Sequence, residues 1–209
     1  MSRRSLVSVM AMLAFVGVSA AGHAETEADR LLRTRKSERY SVAWSGQSIR
    51  AGGAMVAVDA PFADVRKVIT DFGNYADFMP RFERSRVVRK SKEGVDVYLQ
   101  VPILRGAANV WAVTRFEPPI PDGRGQRIEG RMTDQGNVRD LRAIWHLHPI
   151  DENRTLLKLE LLIVPKLPLP ASVITPELEF AAEQAVVASR DRAEAKAKAV
   201  AQKSGPPSE

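Results

Sequence analysis

Val95-Asp96-Val97-Tyr98-Leu99-Gln100-Val101-Pro102-Ile103 puts an apolar side chain at every second position across residues 95–103. Successive side chains of a strand point to opposite faces, so this period of two describes a strand with one buried face and one wet face. The pattern repeats downstream. Asn109 to Phe116 reads as a strand, and Arg127 to Thr133 sets Ile128 and Met132 against Arg127, Glu129 and Arg131. Leu141, Ala143, Trp145 and Leu147 alternate with Arg142, Ile144, His146 and His148. Leu157, Leu159, Leu161 and Ile163 alternate with Lys158, Glu160 and Leu162. Turn residues separate the runs: Lys92-Glu93-Gly94, the loop Pro118 to Gly123, Gln135-Gly136-Asn137 and Asp151-Glu152-Asn153. Consecutive half-buried strands joined by tight turns make an antiparallel meander.

Upstream, Arg84 to Arg89 reads as a further strand, and Ile49 to Val58 as the first, with Gly52-Gly53 suggesting a bulge or sharp bend. Pro61 is expected at the first helical position, followed by Phe62, Val65, Val68, Ile69 and Phe72 at helical spacing. Tyr75, Phe78 and Met79 form a second short turn that stops before Pro80. After Pro165, Pro168 and Pro170 a long helix begins, with Thr175 as N-cap and Pro176 at the first position, and runs to about Lys203. The expected fold is α+β: a curved antiparallel sheet of about seven strands wrapped around the long C-terminal helix, with two short helices after the first strand. Only that helix is large enough to cover the sheet's apolar face.

Val58-Asp59-Ala60-Pro61-Phe62-Ala63-Asp64-Val65-Arg66-Lys67-Val68-Ile69-Thr70-Asp71-Phe72, followed by Tyr75-Ala76-Asp77-Phe78-Met79-Pro80, resembles the opening of the START-like, polyketide-cyclase and coenzyme-Q-binding (SRPBCC, helix-grip) superfamily. The resemblance covers residues 49–200. It implies a deep cavity between sheet and C-terminal helix. It says little about activity, since members bind lipids, quinones, sterols or polyketides and some are enzymes. The helix itself carries Ala181, Ala182, Ala185, Ala188, Ala193 and Ala195, small residues that leave space beneath a curved sheet. Alanine is also the best helix former, and the stretch from Ala195 to Ala201 reads as exposed helix.

The N-terminus has Arg3 and Arg4, an uncharged run from Leu6 to Ala21, and Gly22-His23-Ala24 before Glu25. This reads as a cleaved secretory signal over residues 1–24, because the run is short for the ~20 residues of a membrane span. Ser2-Arg3-Arg4-Ser5-Leu6-Val7 resembles a twin-arginine motif, but its n-region is very short, which favours the general secretory route. The expected organisation is then an extension over 25–48, a ligand-binding domain over 49–203 and a tail over 204–209, in a periplasmic or secreted protein. The extension offers only Leu31 and Leu32 as an apolar face, too little for more than loose packing. The chain has no cysteine, which removes disulfides, thiolate metal sites, a thiol nucleophile and a lipoprotein anchor. Loss of residues 1–24 takes two arginines and lowers the net charge from +6 to +4. Mixed charges and 6% aromatics argue against a nucleic-acid partner.

No Ser-His-Asp set, phosphate loop or HExxH motif is present, so no catalytic residue is assigned. Asp71 and Asp77 could pair as acid and base, though Asp71 reads as a helix-end residue. His146 and His148 share a strand face, but His23 leaves with the signal and no third ligand is evident, so neither metal nor cofactor is expected. Trp145 is a cavity wall or a packed core residue. Trp111 reads as outward. Leu167-Pro168-Leu169-Pro170 is a cavity lip, a membrane-touching patch or a buried connector. Taking the less charged strand faces as inner, the expected cavity set is Val97, Leu99, Val101, Val110, Ala112, Thr114, Ile128, Met132, Leu141, Ala143 and Trp145, with Ala182 and Ala185 from the helix. Thr114 would be its main polar group. The expected role is that of a monomeric, non-catalytic carrier for an apolar small molecule such as a lipid or quinone, with transient membrane contact. The alternatives are a cyclase or aromatase acting on a bound polyketide, and a ligand-free interaction module.

Overall fold

A computed structural model describes residues 26–103, 106, 108–166 and 169–203. The signal segment and the tail expected from the sequence lie outside them. In chain order come α1 (Glu27–Thr34), β1 (Glu38–Val42), β2 (Ala51–Val58), α2 (Phe62–Ile69), a 3₁₀ turn (Phe72–Asn74) and α3 (Tyr75–Phe78). Then follow β3 (Arg84–Ser91), β4 (Gly94–Ile103), β5 (Ala108–Phe116), β6 (Ile120–Asp122), β7 (Gly125–Gly136), β8 (Val138–Pro149), β9 (Thr155–Pro165) and α4 (Ala171–Lys203). The strands form one antiparallel sheet in the order β1-β2-β9-β8-β7-β5-β4-β3, with β6 paired to β7.

The alternation read from the sequence is the alternation of burial. Along β8, Leu141, Ala143, Trp145 and Leu147 are buried while Arg142, Ile144, His146 and His148 are half-exposed. The inner face of the sheet holds α2, α3 and α4. Val65, Val68 and Ile69 of α2 join Val97, Phe116, Ile128, Trp145, Leu157, Ala182 and Val186 in one core. The Phe72 and Phe116 rings stack 4.3 Å apart there. The β3–β4 turn needs glycine on two counts: Gly94 has φ +140°, and a Cβ on it would stand 2.2 Å from the Phe116 carbonyl oxygen.

The structure departs from the sequence reading in five places. The described residues form nine strands against the about seven expected: the stretch from Tyr40, which reads as strand-like, belongs to β1, and β6 is a three-residue strand inside the proline loop. Gly52-Gly53 makes no bulge, and β2 keeps continuous register on both sides. The glycines instead admit close neighbours. A Cβ on Gly52 would lie 2.1 Å from the Glu179 nitrogen of α4, and one on Gly53 would lie 2.4 Å from the Tyr40 ring. Helix α4 starts at Ala171, with the Pro170 carbonyl accepting from the Val173 and Ile174 N–H groups, so Pro176 sits inside the helix and not at its start. Pro61 is the N-cap of α2, one place before the position expected. Leu31 is fully buried: a Thr26–Asp29 capping box starts α1, which packs Leu31 onto Met55 and Leu156 on the outer side of the sheet.

The outer face is held by ion pairs. Asp96 of β4 accepts from Arg115 Nε and Nη2 at 2.6 and 2.9 Å and from Arg89 Nε at 3.0 Å. Trp111 is outward and half-buried, stacked on Tyr98 at 5.8 Å. Among the described residues no helix is long and apolar enough to cross a membrane.

Candidate ligand cavity

Between the inner face of β4, β5, β8 and β9 and the first half of α4 lies a partly open space of about 100 Å³. Apart from Arg81 and Glu177, its wall is made of aliphatic, aromatic and proline side chains. The sheet contributes Leu99, Val101, Val110, Ala112, Leu141, Ala143 and Trp145, all inward by strand alternation. Helix α4 contributes Ile174, Leu178, Ala181 and Ala185, one stripe at helical spacing. Gly52 sets how near this helix comes to the sheet, because only hydrogen stands between β2 and the α4 backbone there. The third wall is the corner after α3, with Tyr75, Met79, Arg81 and Phe82.

Of the residues expected to face a ligand, Leu99, Val101, Val110, Ala112, Leu141, Ala143, Trp145 and Ala185 share the cavity wall. The others do not. Val97, Ile128 and Ala182 are buried in the close-packed core, and Met132 is half-buried against Ala112 and its neighbours. Thr114 sits on the inward side between Ala112 and Phe116, fully buried and off the wall, and its hydroxyl has no hydrogen-bond partner among the described residues. Trp145, left between two roles by its sequence, serves both as core and as wall. Leu159, Leu161 and Ile163 of β9 also line the space, and their alternation was a sufficient signal for including them. Tyr75, Met79 and Phe82 had no such signal, because their approach depends on how α3 docks.

The polar groups lie at one end. Arg81 Nη1 and Glu177 Oε2 are 3.3 Å apart, and the Arg81 guanidinium lies 5.2 Å from the centre of the Phe180 ring. Val173 and Phe180 of α4 are exposed on this side, at 43% and 39%. The Tyr75 hydroxyl donates to the Ile69 carbonyl, and burial pushes its phenol well above the ordinary tyrosine range, with Asp71 adding to the rise. Asp71 and Asp77 form no acid–base pair at the cavity: Asp71 accepts from Asn74 at 2.7 Å and from Arg192 at 3.4 Å, and Asp77 is exposed. Leu169 is packed against the Ile174–Leu178 side of the core, and Leu167 and Pro168 lie outside the described residues.

The family model described as "Polyketide cyclase / dehydrase and lipid transport" matches residues 58–188. Among curated proteins none matches the sequence significantly. The fold is similar to that of a STAR-related lipid transfer protein from Xanthomonas axonopodis, at 16% identity over 75% of this chain and 93% of that one, with a TM-score of 0.64. Human STARD10 is similar at 13% identity over 87% and 84% of the two chains, with a TM-score of 0.63. The Zhui aromatase/cyclase from Streptomyces sp. R1128 is similar at 18% identity over 82% and 100%, with a TM-score of 0.55. Identities this low establish a shared fold and nothing finer. With the matched segment running from the end of β2 to the middle of α4, and so through every wall of the cavity, the chain belongs to the polyketide cyclase/dehydrase and lipid transport family.

Proposed function

We propose that the protein is a non-catalytic carrier that holds a hydrophobic small molecule, such as a lipid or quinone, between its sheet and α4. The observation that carries this reading is the apolar wall, in which the charged residues Arg81 and Glu177 are paired with each other. Burying apolar ligand surface there contributes about 25 cal/mol per Å², before association costs. The space of about 100 Å³ is smaller than the ~300–1,000 Å³ of ligand pockets in general, so a lipid-sized guest requires the wall to move. The natural place is the end closed by Arg81 and Glu177, a single contact between partly exposed side chains of the kind worth about 1 kcal/mol or less.

A cyclase or aromatase reading is favoured by the likeness to the Zhui aromatase/cyclase, and it needs proton-transferring groups against the substrate. The ionisable wall residues are Tyr75, Arg81 and Glu177. Tyr75 is engaged with the Ile69 carbonyl and its phenol is hard to ionise, which supports a carrier over an enzyme. Exposed Val173 and Phe180 beside the charged end fit transient membrane contact by a monomer. The N-terminal sequence fits export with a mature start at Glu25, and an N-terminus found at Met1 or Ser2 on the native protein would refute export. Uptake of an environment-sensitive lipid probe, competed by unlabelled lipid, tests the carrier function itself. Turnover of an added polyketide substrate, lost in Tyr75→Phe, would instead establish the enzyme.

A further inference from the structure

The outer face of the sheet carries a cluster that the cavity does not use. His146 and His148 project from β8 on the side opposite Trp145 and Leu147. The β6–β7 hairpin, turned through Gly123 at φ +58°, sets Asp122 across from Gly125 and brings its carboxylate over the two rings. Asp122 Oδ2 lies 2.9 Å from His146 Nδ1 and 3.3 Å from His148 Nε2, and one donor atom from each residue falls within 4.8 Å of the others. Gly125 lets the second ring lie close, since a Cβ there would stand 2.9 Å from His148 Nδ1.

These distances have a chemical meaning. Ligands about 2.0–2.1 Å from a tetrahedral Zn²⁺ are about 3.3 Å from one another, the edge of the tetrahedron. Two of the three edges are already near that length, and the third is within 4.8 Å. The neighbouring charges permit a cation. Arg127 and Lys158 flank His146 in the register, but Arg127 is 3.1 Å from Glu129 and Lys158 is paired with Glu27. Glu160 lines the adjoining hollow with Glu27 and Tyr40. Glu129 is shared with Arg131, and counting Asp122, Glu27, Glu129 and Glu160 against Arg127, Arg131 and Lys158 leaves the neighbourhood acidic by one charge.

We propose that Asp122, His146 and His148 bind one divalent first-row transition metal of the zinc class on the outer face of the sheet. Two imidazoles and one carboxylate suit Zn²⁺, Ni²⁺ or Cu²⁺ over Mg²⁺ or Ca²⁺, which prefer oxygen alone. The three side chains are between 20% and 33% exposed, so water completes the coordination. The metal reinforces the Asp122 contact that ties the short strand β6 to β8, since in backbone pairing β6 is joined to β7.

The test uses untagged protein freed of metal by chelation and titrated with Co²⁺, then Zn²⁺. The expected result is one Co²⁺ per chain with visible d–d bands, displacement of that signal by Zn²⁺, and a melting temperature that climbs with free Zn²⁺. His146→Gln, His148→Gln and Asp122→Asn should each weaken binding at least tenfold, and the metal-free melting temperature of each shows that it folds. The proposal is overturned if the unaltered protein shows no saturable Co²⁺ binding, or if binding survives undiminished in the folded His146→Gln/His148→Gln double variant.

Discussion

Replacing Ala185 with Leu separates an open cavity from a close-packed core by the sign of its effect. Ala185 is buried and lines the space of about 100 Å³. Leucine adds three carbons, and each buried carbon contributes about 0.8 kcal/mol. The gross gain of about 2.4 kcal/mol is reduced by about 0.5–1 kcal/mol for the ordered side chain, while alanine and leucine differ little in helix propensity. The variant should therefore be more stable by about 1.5 kcal/mol, which raises the melting temperature of a chain this size by about 3–6 °C. The same carbons occupy the ligand's place, so uptake of a fluorescent lipid probe should fall. Thermal denaturation and probe titration on the same samples read both effects. A core with no free space predicts instead an overpacking loss of about 1–3 kcal/mol. A destabilised Ala185→Leu variant that takes up probe as the parent does would refute the reasoning.

Gly52→Ala places a methyl group against α4 backbone, which cannot swing aside as a side chain would, so a loss of about 1–3 kcal/mol or more is expected in urea denaturation. Leu31→Ala removes the buried contact of α1 with Met55 and Leu156 and should cost about 2–5 kcal/mol, whereas the half-buried Leu32, expected from the sequence to share that role, lies outside that cluster and should matter less. The Arg115 guanidinium, aided by Arg89, holds the Asp96 carboxyl below its ordinary value against the opposing effect of burial. A depressed carboxylate contributes stability that is complete above about pH 4 and disappears as pH falls through its folded value. Asp96→Asn should thus lower the melting temperature at neutral pH and flatten its decline below pH 4, and an unchanged acid limb would show the pair to be inert.

Most of the sheet was readable because each strand buries one face, and burial at period two leaves its mark on every second residue from Val95 to Ile163. What escaped depended on pairing across the chain. The three residues of β6 are too few for periodicity and contain Pro121, so only their partners on β7 make them a strand. Leu31 looked isolated in sequence because its partners lie on β2 and β9. Gly52-Gly53 stands out in the sequence as a bend, but what the glycines permit is an approach by α4 and Tyr40, and neither helix position nor ring position is written locally. The cavity wall divides the same way. Its sheet residues follow from alternation, while alternation alone cannot tell how deep along the inner face the empty space extends. Val97, Thr114 and Ile128 face inward yet are covered by packed neighbours. Asp122 is not visible in the sequence as a partner of His146 and His148, because the hairpin that delivers it has only three residues on its first strand and reads as a loop.

Native mass spectrometry of the protein, purified without denaturant from its own host, tests the carrier account most directly. The account predicts a population with one apolar small molecule per chain, released on denaturation and diminished in Ala185→Leu. A bare chain mass, together with no uptake of added lipid or quinone, would contradict it.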